Sequence, residues 1–243
     1  MTRKDKRPAD ELRPMSFVPN YQRHPTGSVL VAVGHTRVIC AVSVENAVPR
    51  WMKEQNVAGG WITAEYQMLP SATSQRTERE VTRGKLSGRS AEIQRLVGRS
   101  LRAVVDLSKL PGLTLHVDCD VLDADGGTRC AAITGASVAL QLAAAKLRRD
   151  GVIAEDPIVA PVAAVSVGLI DGQPLLDLCY EEDAAAEVDM NIVMTAAGRF
   201  VEIQGSGEEA TFSNDDLEKM LGLARRGLAV VFAAQEQALA TAP

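Results

Sequence analysis

The sequence predicts an α+β fold: several mostly antiparallel strands, with three long helices that each follow a block of strands. Three observations predict it. Runs of β-branched residues alternate with period two or pair across short turns, three segments carry helical character, and no Ser/Pro-rich linker separates two halves that repeat the same order. An apolar content of 46% against 23% charged residues supports a buried core, and with only 4% aromatics that core must be built from Val, Leu, Ile and Ala. The 243 residues are therefore expected to form a single domain, 1–243, sharing one core.

Residues 1–14 are basic and polar and read as a loosely ordered arm, unlike a secretory leader. No run is expected to span a membrane, which needs about 18 apolar residues, so a soluble, cytoplasmic protein without membrane contact is expected. Residues 27–33 and 37–44, joined by Gly34-His35-Thr36, form a hairpin pattern, and 60–69 is a further strand. Residues 70–88 are polar and Arg-bearing without apolar periodicity, the pattern of a long surface loop. Over 89–105, Ile93, Leu96, Val97, Leu101 and Val104 fall at helical spacing opposite Glu92, Arg95, Arg99 and Arg102. Residues 114–122 alternate, turning Leu115, Val117, Cys119 and Val121 to a core. A small-residue helix then runs to about 149.

Apolar residues 158–170 read as a strand, Asp171-Gly172 as a two-residue hairpin turn, and 175–180 as the returning strand. Strands follow at 188–195 and 199–204. Ser213 with Asp216 makes a capping-box pattern that opens a last helix over 215–240, with Leu217, Met220, Leu221, Leu228, Val231 and Phe232 as its buried stripe. The cysteines Cys40, Cys119, Cys130 and Cys179 form no Cys-x-x-Cys pair and read as reduced, packed thiols.

Chemistry concentrates in three places. Gly126-Gly127-Thr128-Arg129 lies between a strand and a helix, where free helix-start amides, a hydroxyl and a guanidinium suit an anion. By itself a Gly-Gly turn is usually a mere tight turn, and this one is no Walker A loop. Asp177 interrupts an apolar run and Asp183 follows six residues later, so the two carboxylates are candidates to hold Mg²⁺; a solvated acidic turn accounts well for Glu181 and Glu182 but badly for Asp177. The formal net charge of −5 hides a polarity: from Arg76 to Arg102 eight basic residues face three acidic ones, while Glu181 to Asp189 holds five acidic residues and no basic one. Arg76, Arg79 and Arg83 in the loop suit phosphodiester contacts, and Arg89 opens a helix beside Gly88, placed to reach an anion.

Three stretches carry a resemblance: Asp118-Cys-Asp-Val-Leu-Asp-Ala-Asp-Gly-Gly-Thr-Arg129; Leu86-Ser-Gly-Arg-Ser-Ala-Glu-Ile-Gln-Arg-Leu-Val-Gly-Arg-Ser-Leu-Arg102; and Leu176-Asp-Leu-Cys-Tyr-Glu-Glu-Asp183 with Asp189-Met-Asn191. Together they resemble the RNase PH family over nearly the whole chain. The resemblance implies the RNase PH fold, of the ribosomal-protein-S5-domain-2-like type, in a homo-hexameric ring built as a trimer of dimers. It implies a phosphate-dependent 3′→5′ exoribonuclease, a nucleotidyltransferase, that trims tRNA precursors with inorganic phosphate and releases nucleoside 5′-diphosphates. It assigns phosphate binding to Arg89, Gly127, Thr128 and Arg129, a catalytic or Mg²⁺-holding role to Asp177 and Asp183, and RNA contacts to Arg76 and Arg79. Ser71, where many relatives carry Arg, is one departure. The residues alone leave open a hydrolytic, metal-dependent nuclease and a catalytically silent RNA-binding subunit.

Overall fold

A computed structural model describes residues 3–82, 84–207 and 210–242. Two sheets form. The first takes strands β1 (Met15–Pro19), β2 (Gly27–Val33), β3 (Thr36–Glu45), β4 (Trp61–Met68) and β5 (Thr114–Asp123) in the order β1-β2-β3-β5-β4. All its pairings are antiparallel except β4 with β5. That parallel pair needs a crossover, which helix α2 (Gly88–Arg102) supplies. The second sheet holds β6 (Val162–Ile170), β7 (Gln173–Leu176), β8 (Val188–Thr195) and β9 (Phe200–Gly207) in the order β7-β6-β8-β9, antiparallel throughout. The predicted Asp171-Gly172 turn joins β6 to β7.

Helix α3 (Thr128–Arg149) packs against β2, β3 and β5 of the first sheet and against β6 of the second. Its buried residues lie on every side, from Cys130 to Leu147, as expected of a helix with sheet on both flanks. By length and composition α3 could cross a membrane, contrary to the expectation that no run reaches that length. However, 78% of its apolar window is buried inside the fold, the position of a core helix. Helix α5 (Asn214–Ala240) covers the second sheet, and the predicted capping box is present: the Ser213 hydroxyl accepts from the Asp216 amide at 3.2 Å, and the Asp216 carboxylate accepts from the Ser213 amide at 3.1 Å.

Leu115, Val117, Cys119 and Val121 are buried as their alternation predicts. Two short helices, α1 (Arg50–Glu54) and α4 (Tyr180–Ala185), and the edge strand β1 have no counterpart in the sequence reading. The arm expected to be loosely ordered is held against the body over residues 3–14, with Arg3 and Arg13 only 6% and 5% exposed.

Candidate active site

Strand β5 ends at Asp123, and α3 begins five residues later. Between them Gly126 and Gly127 both take left-handed conformations, φ 72° and 65°. Gly126 is pressed against backbone: a Cβ there would lie 2.6 Å from the Leu178 carbonyl oxygen, so no side chain fits. Gly127 caps α3 without a side-chain cap, and the first helical bond runs from the Ala131 amide to the Gly127 carbonyl at 3.0 Å. The amides of Thr128, Arg129 and Cys130 precede that bond and lie at the positive end of a long helix.

Around this helix start the side chains interlock. Thr128 is 5% exposed, with its hydroxyl 2.8 Å from that of Tyr66 on β4. Burial pushes the Tyr66 phenol above its ordinary pKa, against the hydrogen bond with Thr128 and the charges of Arg89 and Arg129, which pull it down. Arg129 Nη1 donates to Gln204 on β9 at 2.8 Å and lies 3.5 Å from Glu92 on α2. Arg89 is exposed in the first turn of α2, where Ser87 caps the helix and Ser90 donates to Glu80 at 2.6 Å. Arg76 and Arg79 are exposed on the loop before α2. The charge of Arg79 reaches Asp120 on the outer face of β5. Arg83 lies outside the described residues.

The acidic pair separates. Asp183 is exposed on α4. Asp177 follows β7 in a left-handed conformation, φ 55°, and is 5% exposed. Both of its carboxylate oxygens are engaged: Oδ1 accepts from Arg13 Nη2 at 2.7 Å, and Oδ2 from the Arg13 amide at 2.7 Å and Nε at 3.0 Å, with Arg7 Nη1 at 3.4 Å. Its carbonyl accepts from Arg3 and Arg7 at 2.9 and 3.2 Å. Arg3 also pairs with Glu182 at 2.8 Å. Asp177 is thus held by two guanidinium groups, with Oδ1 accepting a single bond, while Asp183 stands exposed on α4. Among the described residues no group of three His, Cys, Asp or Glu side chains is arranged to hold a metal ion.

Both acids nonetheless lie near the helix start. The Cys130 thiol is pushed up to about 12 by burial, and the charges of Arg129, Asp177, Arg13 and Asp183 all reach it. The fold thus gathers Arg89, Gly127, Thr128, Arg129, Asp177 and Asp183 at one end of α3. It adds Arg13, Tyr66, Thr36 and Asn191, whose Oδ1 accepts from Cys130 at 3.3 Å. Asp189, two residues before Asn191 on β8, shares that face by alternation. For Tyr66 the buried alternation Ile62, Ala64, Tyr66 was a legible signal; for Arg13 the only signal was a basic arm in a chain with an acidic run near 181–189.

The description "3′ exoribonuclease family, domain 1" matches residues 11–146, and "domain 2" of the same family matches 160–227. Ribonuclease PH of Corynebacterium efficiens is 56% identical over 238 residues, covering 98% of this chain and 96% of that one. Ribonuclease PH of Bacillus subtilis matches at the same identity and coverage. Among solved structures, rice (Oryza sativa) Rrp46 superposes with a TM-score of 0.76 at 22% identity, covering 98% of both chains. The Archaeoglobus fulgidus exosome with RNA bound to the active site gives 0.78 at 23% identity, covering 97% of this chain and 91% of that one. At these identities the two structures speak for the fold.

Proposed function

The chain belongs to the RNase PH family of phosphorolytic 3′→5′ exoribonucleases, and from that membership we propose that the turn at 126–129 seats the inorganic phosphate that cuts RNA. The observation that carries the reading is the uncapped start of α3 behind two left-handed glycines, with the buried Thr128 hydroxyl in its first turn and the charges of Arg89 and Arg129 near enough to act on the adjoining Tyr66. Amides, hydroxyl and two guanidinium groups match the oxygens of one phosphate ion.

Phosphate held there attacks the last phosphodiester in line. The bond to the 3′-oxygen of the preceding nucleotide breaks, and the terminal residue leaves as a nucleoside 5′-diphosphate. The arginines offset the charge that gathers on the transferring group, and the proton that the attacking phosphate gives up passes to the departing 3′-oxygen, with the Asp183 carboxylate relaying it. A phosphate ester is exchanged for a diphosphate of similar energy, so the reverse addition of nucleotides from diphosphates runs on the same site. Asp183, with the lone pair that Asp177 Oδ1 keeps beyond its bond to Arg13, would hold a divalent cation such as Mg²⁺, which would offset charge on the transferring group.

Arg76 and Arg79 take the RNA backbone. The same reading has the chain trimming tRNA precursors in the cytoplasm as a homo-hexameric ring, a trimer of dimers, which light scattering of the purified protein tests directly. The decisive experiment mixes the protein with a short RNA, with and without phosphate, and identifies the nucleotide released. Phosphate-dependent diphosphate release is expected; monophosphates formed without phosphate would overturn the reading. Arg89→Ala should raise the KM for phosphate by about tenfold or more while RNA affinity holds. A loss of RNA affinity alone would move Arg89 out of the phosphate seat.

A further inference from the structure

Arg13 lies directly beneath the turn. A Cβ on Gly127 would meet its Nη2 at 3.1 Å. Nε and Nη2 fork onto the two oxygens of Asp177 at 3.0 and 2.7 Å, Nη1 donates to the carbonyl of Asp125, and Nη2 reaches the carbonyl of Gly126 at 3.5 Å. Thr36, fully buried at the start of β3, completes the hold: its hydroxyl donates to the Gly126 carbonyl at 2.7 Å and accepts from the Asp125 amide at 2.9 Å.

In a planar trans peptide the C=O of one residue and the N–H of the next point in opposite directions. Fixing the carbonyls of Asp125 and Gly126 therefore turns the amides of Gly126 and Gly127 away from Arg13 and Thr36. Left-handed glycines are otherwise free to let those peptide planes rotate. We infer that Arg13, anchored by Asp177, is a positioning residue that aims the amides of the phosphate turn; this rests on the phosphate reading above. It also gives Asp177 a role other than metal binding: it holds the guanidinium that holds the turn.

Arg13→Lys keeps the charge opposite Asp177 but replaces the planar fork with one point of donation, which cannot span a carboxylate and two carbonyls. The KM for phosphate should rise about tenfold, while RNA affinity and kcat at saturating phosphate stay within about twofold. The rise in Tm that added phosphate gives the wild-type protein should shrink in the variant. Thr36→Val should move phosphate KM the same way without touching Asp177, and Thr36→Ser, which keeps the hydroxyl, should restore it. Should Arg13→Lys not fold, the Thr36 pair decides alone. If the wild type is phosphorolytic and the folded variants keep the wild-type phosphate KM, losing only stability, the inference falls by itself. If the wild type needs no phosphate, the functional reading falls and takes the inference with it.

Discussion

At the scale of residues, the pairs that build the site are buried, and burial sets what their loss costs. Asp177 and Arg13 are each 5% exposed, so removing one charge strands the other. Asp177→Asn should destabilise the fold by roughly 3–5 kcal/mol, read by denaturant unfolding, far more than an exposed ion pair would. Thr128 and Tyr66 share a buried hydrogen bond at 2.8 Å. Thr128→Val leaves the phenol without that partner and should cost about 1–3 kcal/mol, and adding Tyr66→Phe should recover part of the loss in a double-mutant cycle. Phosphate affinity should not recover with it, because the hydroxyl proposed as a phosphate donor stays absent.

At the scale of elements, strands and helices were legible where one face is buried. β5 alternates along its whole length because only one side meets the core, and α2 shows its stripe because only one side meets β4 and α3. The short elements were not legible. β1 is five residues at a sheet edge ending in Pro19, too brief to display a period. α4 was hidden because Leu175, Leu176 and Leu178 read as a continuing strand, whereas the left-handed Asp177 breaks the chain away after β7. The α5 cap was readable from Ser213 and Asp216 alone because a capping box is local. Ser213→Ala should cost about 1 kcal/mol in thermal unfolding, with no change in phosphate KM.

At the scale of the whole molecule, charge is arranged in opposed regions, and stability should follow pH accordingly. Asp118 and Asp120 have pKa values raised by burial and then by the nearby Glu65. An acid whose folded pKa is raised weakens the fold above that pKa and relaxes the penalty as pH falls toward its ordinary value of 3.8. Asp120→Asn should therefore raise Tm at pH 7, with the gain disappearing in acid. Glu182 runs the other way. Burial raises its pKa, but its hydrogen bonds with Arg3 and the Cys179 amide and the charges of Arg3 and Arg7 bring it below its ordinary 4.5. Its stabilisation is present above 4.5 and is lost as pH falls through the lowered value, so the arm should become open to proteolysis there, as a digestion series across acid pH would show.

The site was half legible for a related reason. Arg89 and the turn at Gly127 to Arg129 announce themselves by local chemistry, whereas Arg13 and Asp177 are 164 residues apart, and nothing in a linear pattern joins them. That separation has a consequence in time. A chain emerging from the ribosome presents the glycine turn long before Asp177 exists to anchor Arg13, and Gly126 has no backbone at 178–180 to rest against. The proposed seat for phosphate is thus among the last features to set, and a partly made chain is born without it. Arrested nascent chains should show an arm cleavable by protease until Asp177 has cleared the exit tunnel and protected afterwards.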